Sequence, residues 1–304
     1  MSSLLQYSAV KISFRLLIAI FCCCLLFSCC KTPLPSRIQL CQVPSPRPEE
    51  NFAAFIEPDE AVFMMHAVQT VYDQRPVLDG YHQIESLRFF SLLNNEKAII
   101  DERLQIDIAK GNEKVWSYVY QSNSDPSDLI IAIRGTENIM DWIKDLEVSQ
   151  VPFISFSGSE KEVKIEQGFY SVYKGLREAL FHIIQQWNPS RLRITGHSMG
   201  GSIALLLTYD ITLTTPGLTP ILFTYGMPRS GDLNFTNEIK RIHDTNAARL
   251  TFIINSKDIV PELPSDLFGY YTIPFTNYIF CFDTGNSVEN HIWYEPALKE
   301  LFKH

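Results

Sequence analysis

The chain has 304 residues, 46% hydrophobic and 20% charged, which suits one large globular core and excludes both global disorder and a polytopic membrane protein. A net charge of -8 and a pI near 5.4 argue against nucleic acid or anionic membrane surfaces as partners, because the long-range field repels them. Of the seven cysteines, Cys22, Cys23, Cys24, Cys29 and Cys30 crowd near the amino terminus, leaving only Cys41 and Cys281 in the body; this is neither a disulfide framework nor a metal site.

In chain order, Lys11 and Arg15 precede an apolar run over residues 16–27, too short to span a bilayer comfortably and of the size of a signal-peptide core. The following Leu26-Phe27-Ser28-Cys29 resembles the bacterial lipoprotein signal. That resemblance implies a signal peptide over residues 1–28 and a mature amino terminus at Cys29 carrying diacylglycerol and usually a further acyl chain. It also implies a protein exported and held at a membrane of the cell envelope by its lipid anchor. An uncleaved amino-terminal anchor is the alternative, and either way the remainder lies outside the cytoplasm. Pro33, Pro35, Pro44, Pro46 and Pro48 then favour polyproline II. Residues 29–51 therefore read as anchor site and tether, able to hold a domain roughly 60 Å from the lipid at about 3.1 Å per residue.

A single domain is expected over residues 52–304. Helical spacing over residues 61–72 and alternating strands over 104–108 and 115–120, split by Lys110-Gly111-Asn112, predict a helix and a hairpin. Apolar strand-like runs follow at 129–133, 192–195, 221–225 and 250–254, with helical stretches at 169–186, 199–213 and 235–243 between most of them. Such alternation predicts an α/β fold with a mainly parallel central sheet flanked by helices. Beyond Asp258, Pro261, Pro264, Gly269 and Pro274 interrupt regular structure before a short closing helix at 297–302.

The segment Arg193-Ile194-Thr195-Gly196-His197-Ser198-Met199-Gly200-Gly201 runs from strand to helix through Gly-x-Ser-x-Gly, a nucleophile elbow. Gly196 and Gly200 let strand and helix approach while the Ser198 hydroxyl stays exposed. A helix starting at the serine turns its amino-terminal dipole and the free N–H of Met199 toward an oxyanion. A serine nucleophile needs an imidazole to take its proton and a carboxylate to orient that imidazole, and in this fold the order is Ser, acid, His. Only His243, His291 and His304 follow Ser198. His304 is the terminus, and His243 precedes the best acid on a polar helical stretch, leaving His291. Asp258 directly follows the 250–254 strand, at the carboxyl edge where open α/β sheets bind ligands. Asp210, Asp232, Asp244, Asp266 and Asp283 have no comparable placement and read as turn or surface carboxylates.

Across roughly residues 129–295 the chain resembles the class 3 lipases, the family typified by fungal triacylglycerol lipases with the α/β-hydrolase fold. The resemblance rests on Ile133-Arg134-Gly135-Thr136 with Asp141-Trp142-Ile143-Lys144-Asp145-Leu146, on Gln167-Gly168-Phe169-Tyr170, and on the elbow itself. Further blocks are Tyr225-Gly226-Met227-Pro228-Arg229-Ser230-Gly231-Asp232, the run Asn255-Ser256-Lys257-Asp258-Ile259-Val260-Pro261-Glu262-Leu263-Pro264, and Asn290-His291-Ile292-Trp293-Tyr294. It implies that Asp258 and His291 complete a triad with Ser198, and that the second oxyanion donor is the Thr136 N–H. Thr136 also suits a plain helix N-cap. Glu166 departs from the histidine that many members carry before Gly-Phe.

Residues 137–147 place Ile139, Trp142, Ile143 and Leu146 on one face, with Asn138, Asp141, Lys144 and Asp145 facing elsewhere. In the lipases it resembles, this helix is a lid over the site; the stripe equally fits a helix packed permanently on the core. The function implied is cofactor-free hydrolysis of a lipid ester, as an acylglycerol lipase or as a phospholipase, lysophospholipase or thioesterase, since a triad does not choose its leaving group. A non-catalytic surface binding protein is the rival from another class, and nothing points to nucleic acid, a metal or an obligate protein partner.

Overall fold

The computed structural model describes residues 57–89, 114–137, 139–145, 148–158, 160–274 and 278–302. The signal segment, Cys29, the tether, Cys41, the expected strand at 104–108, Asn138, Leu146 and His304 lie outside the described residues.

Helix α1 (Pro58–Tyr72) opens with proline at its first turn, where no N–H is needed, and with Asp59 and Glu60 against the positive helix end. Strands β1 (Tyr81–Phe89), β2 (Lys114–Ser122) and β3 (Asp128–Ile133) follow, then helix α2 (Ile139–Asp145) and the strands β4 (Gln150–Ile154) and β5 (Glu160–Glu166). Helix α3 (Gln167–Trp187), β6 (Arg191–His197), α4 (Met199–Thr214), β7 (Ile221–Tyr225), α5 (Leu233–Asp244) and β8 (Arg249–Asn255) form the alternating part. Two 3-10 turns (Val260–Glu262 and Asp266–Phe268), β9 (Tyr278–Phe280), α6 (Glu289–Ile292) and α7 (Tyr294–Leu301) complete the described chain.

Among the described residues the main sheet has the order β1-β2-β3-β6-β7-β8-β9, with β4 and β5 paired separately. The first two pairings are antiparallel and the rest parallel. Side chains alternate along the strands and build two apolar layers. Leu129, Ile131, Ile133, Ile194, Leu222 and Phe252 pack with α3, α4 and α5 on one face. Ile130, Ala132, Phe223, Tyr225 and Ile253 pack with α1 and α7 on the other. Every residue of β3 is buried, as expected for a strand covered on both faces, and each such aliphatic side chain contributes roughly 1.5–3 kcal/mol. The expected α/β-hydrolase architecture is therefore observed.

The structure corrects some details. Besides β3, β2 pairs with β1, which the sequence pattern passed over; the expected strand at 104–108 lies outside the described residues. The β4–β5 hairpin was likewise not anticipated. Asp210, read as a turn or surface carboxylate, is fully buried on α4. It accepts hydrogen bonds from Tyr173 Oη and the Phe156 N–H, so it ties α4 to α3 and to the hairpin turn. Burial raises its pKa above the usual carboxylate value. Asp232, also set aside as a turn residue, caps α5 by accepting from the Phe235 N–H. Cys281 is buried and disulfide-bonded. Among the described residues no helix is long and apolar enough to cross a membrane.

Candidate active site

Ser198 stands between β6 and α4 with φ 59° and ψ -134°, a conformation that non-glycine residues adopt only where surrounding structure enforces it. Its N–H donates to the Tyr225 carbonyl at 2.9 Å and its carbonyl accepts from the Gly201 N–H at 2.9 Å, so the neighbouring strand and its own helix hold the turn. A Cβ on Gly196 would lie 2.2 Å from the Gly200 carbonyl oxygen, so no larger residue fits where strand and helix cross. The expected elbow is thus present in backbone geometry. Met199 opens α4, where the first N–H groups have no intrahelical acceptor.

Asp258 and His291 come together from separate loops, the first three residues past β8 and the second on α6. His291 Nδ1 donates to Asp258 Oδ2 at 2.7 Å, both side chains being almost wholly buried. The same oxygen accepts from Tyr294 Oη at 2.9 Å, and Oδ1 accepts from the Val260 N–H at 2.9 Å. With its Nδ1 proton directed at the carboxylate, the neutral imidazole carries its lone pair on Nε2. That Nε2 and Ser198 Oγ are both buried and without a hydrogen-bond partner, and the ring of His197, the residue before Ser198, lies 4.5 Å from the His291 ring. Such looseness is common before substrate binds. Gly226, at φ +54°, marks how tightly the pair is walled: a Cβ there would stand 2.7 Å from Asp258 Oδ2 and 3.0 Å from His291 Nδ1.

The loop after β3 lies against Ser198, since a Cβ on Gly135 would meet Ser198 Cβ at 2.8 Å. The Gly135 N–H donates to Tyr72 Oη at 2.8 Å and its carbonyl accepts from Arg134 Nη1 at 2.9 Å. Thr136, the next residue, is partly exposed and connects this fixed peptide to α2. Arg134 is itself buried, with its guanidinium 4.8 Å from the Trp116 ring centre.

Helix α2 lies within the predicted 137–147 segment. Ile139 is buried with Val260 and Val288, and Met140, Trp142, Ile143 and Ile259 pack partly buried around them. Val260 and Val288 flank Asp258 and His291 in sequence, so the apolar face of α2 rests on the loops that carry the acid and the base. Trp142 also stacks on Phe169, ring centres 6.0 Å apart. Ser198 is 1% exposed.

Several residues of the site escaped the sequence reading. Tyr294, three residues after His291, bonds the acid as described, and its oxygen accepts from the Asn255 N–H at 2.9 Å. His197 was read only as the variable residue of the elbow, yet its Nε2 lies 2.8 Å from the His291 carbonyl and its Nδ1 3.0 Å from Tyr72 Oη. Asn290 accepts from the Thr284 N–H at 2.7 Å and donates to the Lys257 carbonyl at 3.1 Å, joining the two loops. The spacing of Tyr294 from His291 is the one local signal that sequence offers; the other contacts are tertiary. Glu166, the departure from the family pattern, caps α3 by accepting from the Phe169 N–H at 2.6 Å. His243, set aside as base, sits partly buried in the last turn of α5.

Residues 130–268 match the family described as lipase (class 3). Over this stretch the chain is similar to class 3 lipases. A lipase of Rhizomucor miehei is 32% identical over 171 residues, covering 52% of this chain and 45% of that protein. A chloroplastic phospholipase A(1) of Arabidopsis thaliana is 29% identical over 156 residues, covering 45% of this chain and 34% of that protein. The chain thus spans less than half the length of these two relatives. The solved structure of Rhizomucor miehei triacylglyceride lipase superposes with a TM-score of 0.55 at 21% identity, covering 81% of this chain and 93% of that one, which establishes a shared fold.

Proposed function

We propose that this chain is a serine hydrolase that cleaves carboxylic esters of lipids, acylglycerols foremost, through an acyl-enzyme. The observation that carries the reading is the Asp258–His291 hydrogen bond of 2.7 Å, buried beside an elbow that holds Ser198 at φ 59°. His291 Nε2 takes the Ser198 proton as Oγ adds to the ester carbonyl, and Asp258 orients the imidazole and stabilises it once charged. The Met199 and Thr136 N–H groups receive the oxyanion. Collapse of the tetrahedral intermediate expels the alcohol, which leaves with the proton from His291. Water, deprotonated by the same imidazole, then releases the fatty acid and restores Ser198. The residues supply the nucleophile, base, orienter and oxyanion donors, so the scheme calls on no cofactor.

Helix α2 serves as a lid: its apolar side covers the site in water and is better accommodated against lipid. Uncovering a side chain such as Ile139 in water costs roughly 1.5–3 kcal/mol, which contact with an interface recovers. Export and a diacylglyceryl anchor on Cys29 are part of the same proposal and rest on the amino-terminal sequence, with the tether giving the domain reach to a membrane surface. A second reading, phospholipase activity on the same triad, draws support from the similarity to the chloroplastic phospholipase A(1). A non-catalytic binding role is disfavoured, because such a protein has no need of a complete triad with a strained serine.

The discriminating experiment is turnover by the full chain on p-nitrophenyl esters from short to long chain, alongside triacylglycerol and phospholipid. Activity on long-chain esters is expected, rising as substrate passes from monomers to emulsion, with Ile143→Asp blunting that rise. Absence of hydrolysis on every substrate overturns the enzyme reading, and smooth saturation through the solubility limit overturns the lid.

A further inference from the structure

The candidate site contains a hydrogen-bond chain whose direction chemistry fixes. His197 Nε2 lies 2.8 Å from the His291 carbonyl oxygen, which can only accept, so Nε2 carries the hydrogen. In the neutral ring Nδ1 is then an acceptor, and Tyr72 Oη at 3.0 Å gives it the one phenolic proton. With its proton committed, the Tyr72 oxygen accepts from the Gly135 N–H at 2.8 Å. The order is therefore Gly135 N–H to Tyr72, Tyr72 O–H to His197, and His197 N–H to the backbone of His291. Burial pushes the Tyr72 phenol up and the His197 imidazole well down, so both keep the protonation this order requires.

The two ends of the chain are the two parts of the site that must be set relative to Ser198. The Tyr72 bond holds the peptide on the amino side of Gly135, while the Gly135 carbonyl, held by Arg134 Nη1, shares a plane with the Thr136 N–H, so the two contacts together fix the approach to that N–H. At the other end stands the backbone of His291, whose ring lies 4.5 Å from the His197 ring, centre to centre. The bridge also starts from the last residue of α1, so it anchors both loops to a helix packed on the opposite face of the sheet.

We propose that Tyr72 and His197 are positioning residues: their bridge holds the oxyanion loop and the His291 loop at the separation that acylation of Ser198 needs. This rests on the hydrolase reading above. Neither residue touches the reacting atoms in this scheme; each acts through the Thr136 N–H and the His291 imidazole.

The test compares Tyr72→Phe with Tyr170→Phe in the full chain. Tyr170 also loses a hydroxyl with two backbone partners, the Ile154 N–H and carbonyl, but lies away from the triad. An oxyanion donor acts in the transition state more than in the ground state. Tyr72→Phe should therefore lower kcat on p-nitrophenyl butyrate by roughly 10- to 100-fold with KM within about twofold, the loss approaching that for removing an oxyanion donor. Tyr170→Phe should lose comparable thermal stability and keep its kcat. His197→Asn, which cuts the link to the His291 carbonyl from the elbow side, should reproduce the kcat loss and serves if Tyr72→Phe does not fold. Wild-type kcat in folded Tyr72→Phe or His197→Asn overturns the bridge, as does an equal kcat loss in Tyr170→Phe. A wild-type protein inert toward esters and toward a fluorophosphonate overturns the hydrolase reading itself, and with it the proposal.

Discussion

The two ends of the parallel strands both bury polar groups, and they treat them differently. At the amino end, Arg193 donates to both carboxylate oxygens of Asp128, at 2.9 and 2.8 Å, reaches Glu60 at 3.6 Å and bonds Tyr81. Its charge is neutralised by carboxylates, although its Nε is left without a partner. At the carboxyl end, Asp258 is fully engaged, yet Ser198 Oγ and His291 Nε2 are the atoms left over, and Ser198 has a strained backbone. One end uses buried charge to clamp strands and α1 together. The other leaves polar atoms unpaired beside a strained backbone, a pattern that fits the proposed chemistry at the expense of stability.

This contrast can be broken by mutation. His291→Ala should reduce ester kcat by roughly 10⁶-fold, and Asp258→Asn by about 10⁴-fold, with thermal midpoints near wild type. A large stability loss without an activity loss would place this end with the other. Asp128→Ala should do the reverse, lowering unfolding free energy by about 3–5 kcal/mol because Arg193 loses its main partner in a buried setting, with kcat of the folded protein unchanged. Denaturant titration and active-site-normalised kinetics separate these outcomes. Gly226→Ala should act on both quantities, since φ +54° strains alanine and its Cβ would press on Asp258 Oδ2 from 2.7 Å. An activity loss on the order of 10²-fold is expected from displacement of the acid and base. Wild-type rates in that variant would show that the pair tolerates movement.

The smallest expected effect concerns pH. Burial holds the His197 pKa well below 6.5, so below that pH the unfolded chain takes up a proton that the native state refuses. Stability should consequently fall as pH drops from about 6.5 toward the lower native value, with a contribution of up to about 1.4 kcal/mol per pH unit. His197→Asn should flatten that part of the curve in unfolding titrations between pH 7.5 and 5. Parallel curves for wild type and variant would mean that His197 protonates freely in the folded protein.

The legible parts of the molecule were those where one local pattern decides. Strands β3, β6, β7 and β8 are short apolar runs buried on both faces, and the elbow joins a motif to a strand and a helix. Strand β1 hid because His82, Gln83, Glu85, Ser86 and Arg88 dilute its apolar positions and two register shifts break its alternation. The β4–β5 hairpin hid because β5 interleaves Lys161, Glu162, Lys164 and Glu166 with only Val163 and Ile165. Asp210 was misread although the apolar run around it, from Leu205 to Ile211, signalled a helix buried all round. Asp258 and His291 were reachable through chain order and strand ends. Tyr72 and His197 were not, since a phenol at the end of a surface-packed helix and a histidine inside an elbow acquire meaning only when the fold brings Gly135 and the His291 carbonyl to them.

The account stands or falls on whether the carboxyl end is reactive. Full-length protein incubated with a fluorophosphonate in detergent micelles, digested and sequenced by mass spectrometry, measures this directly. The account predicts one phosphonylated residue, Ser198, with labelling abolished by Ser198→Ala and strongly slowed by His291→Ala. An unlabelled Ser198 in folded wild-type protein, or labelling that persists undiminished in His291→Ala, would contradict it.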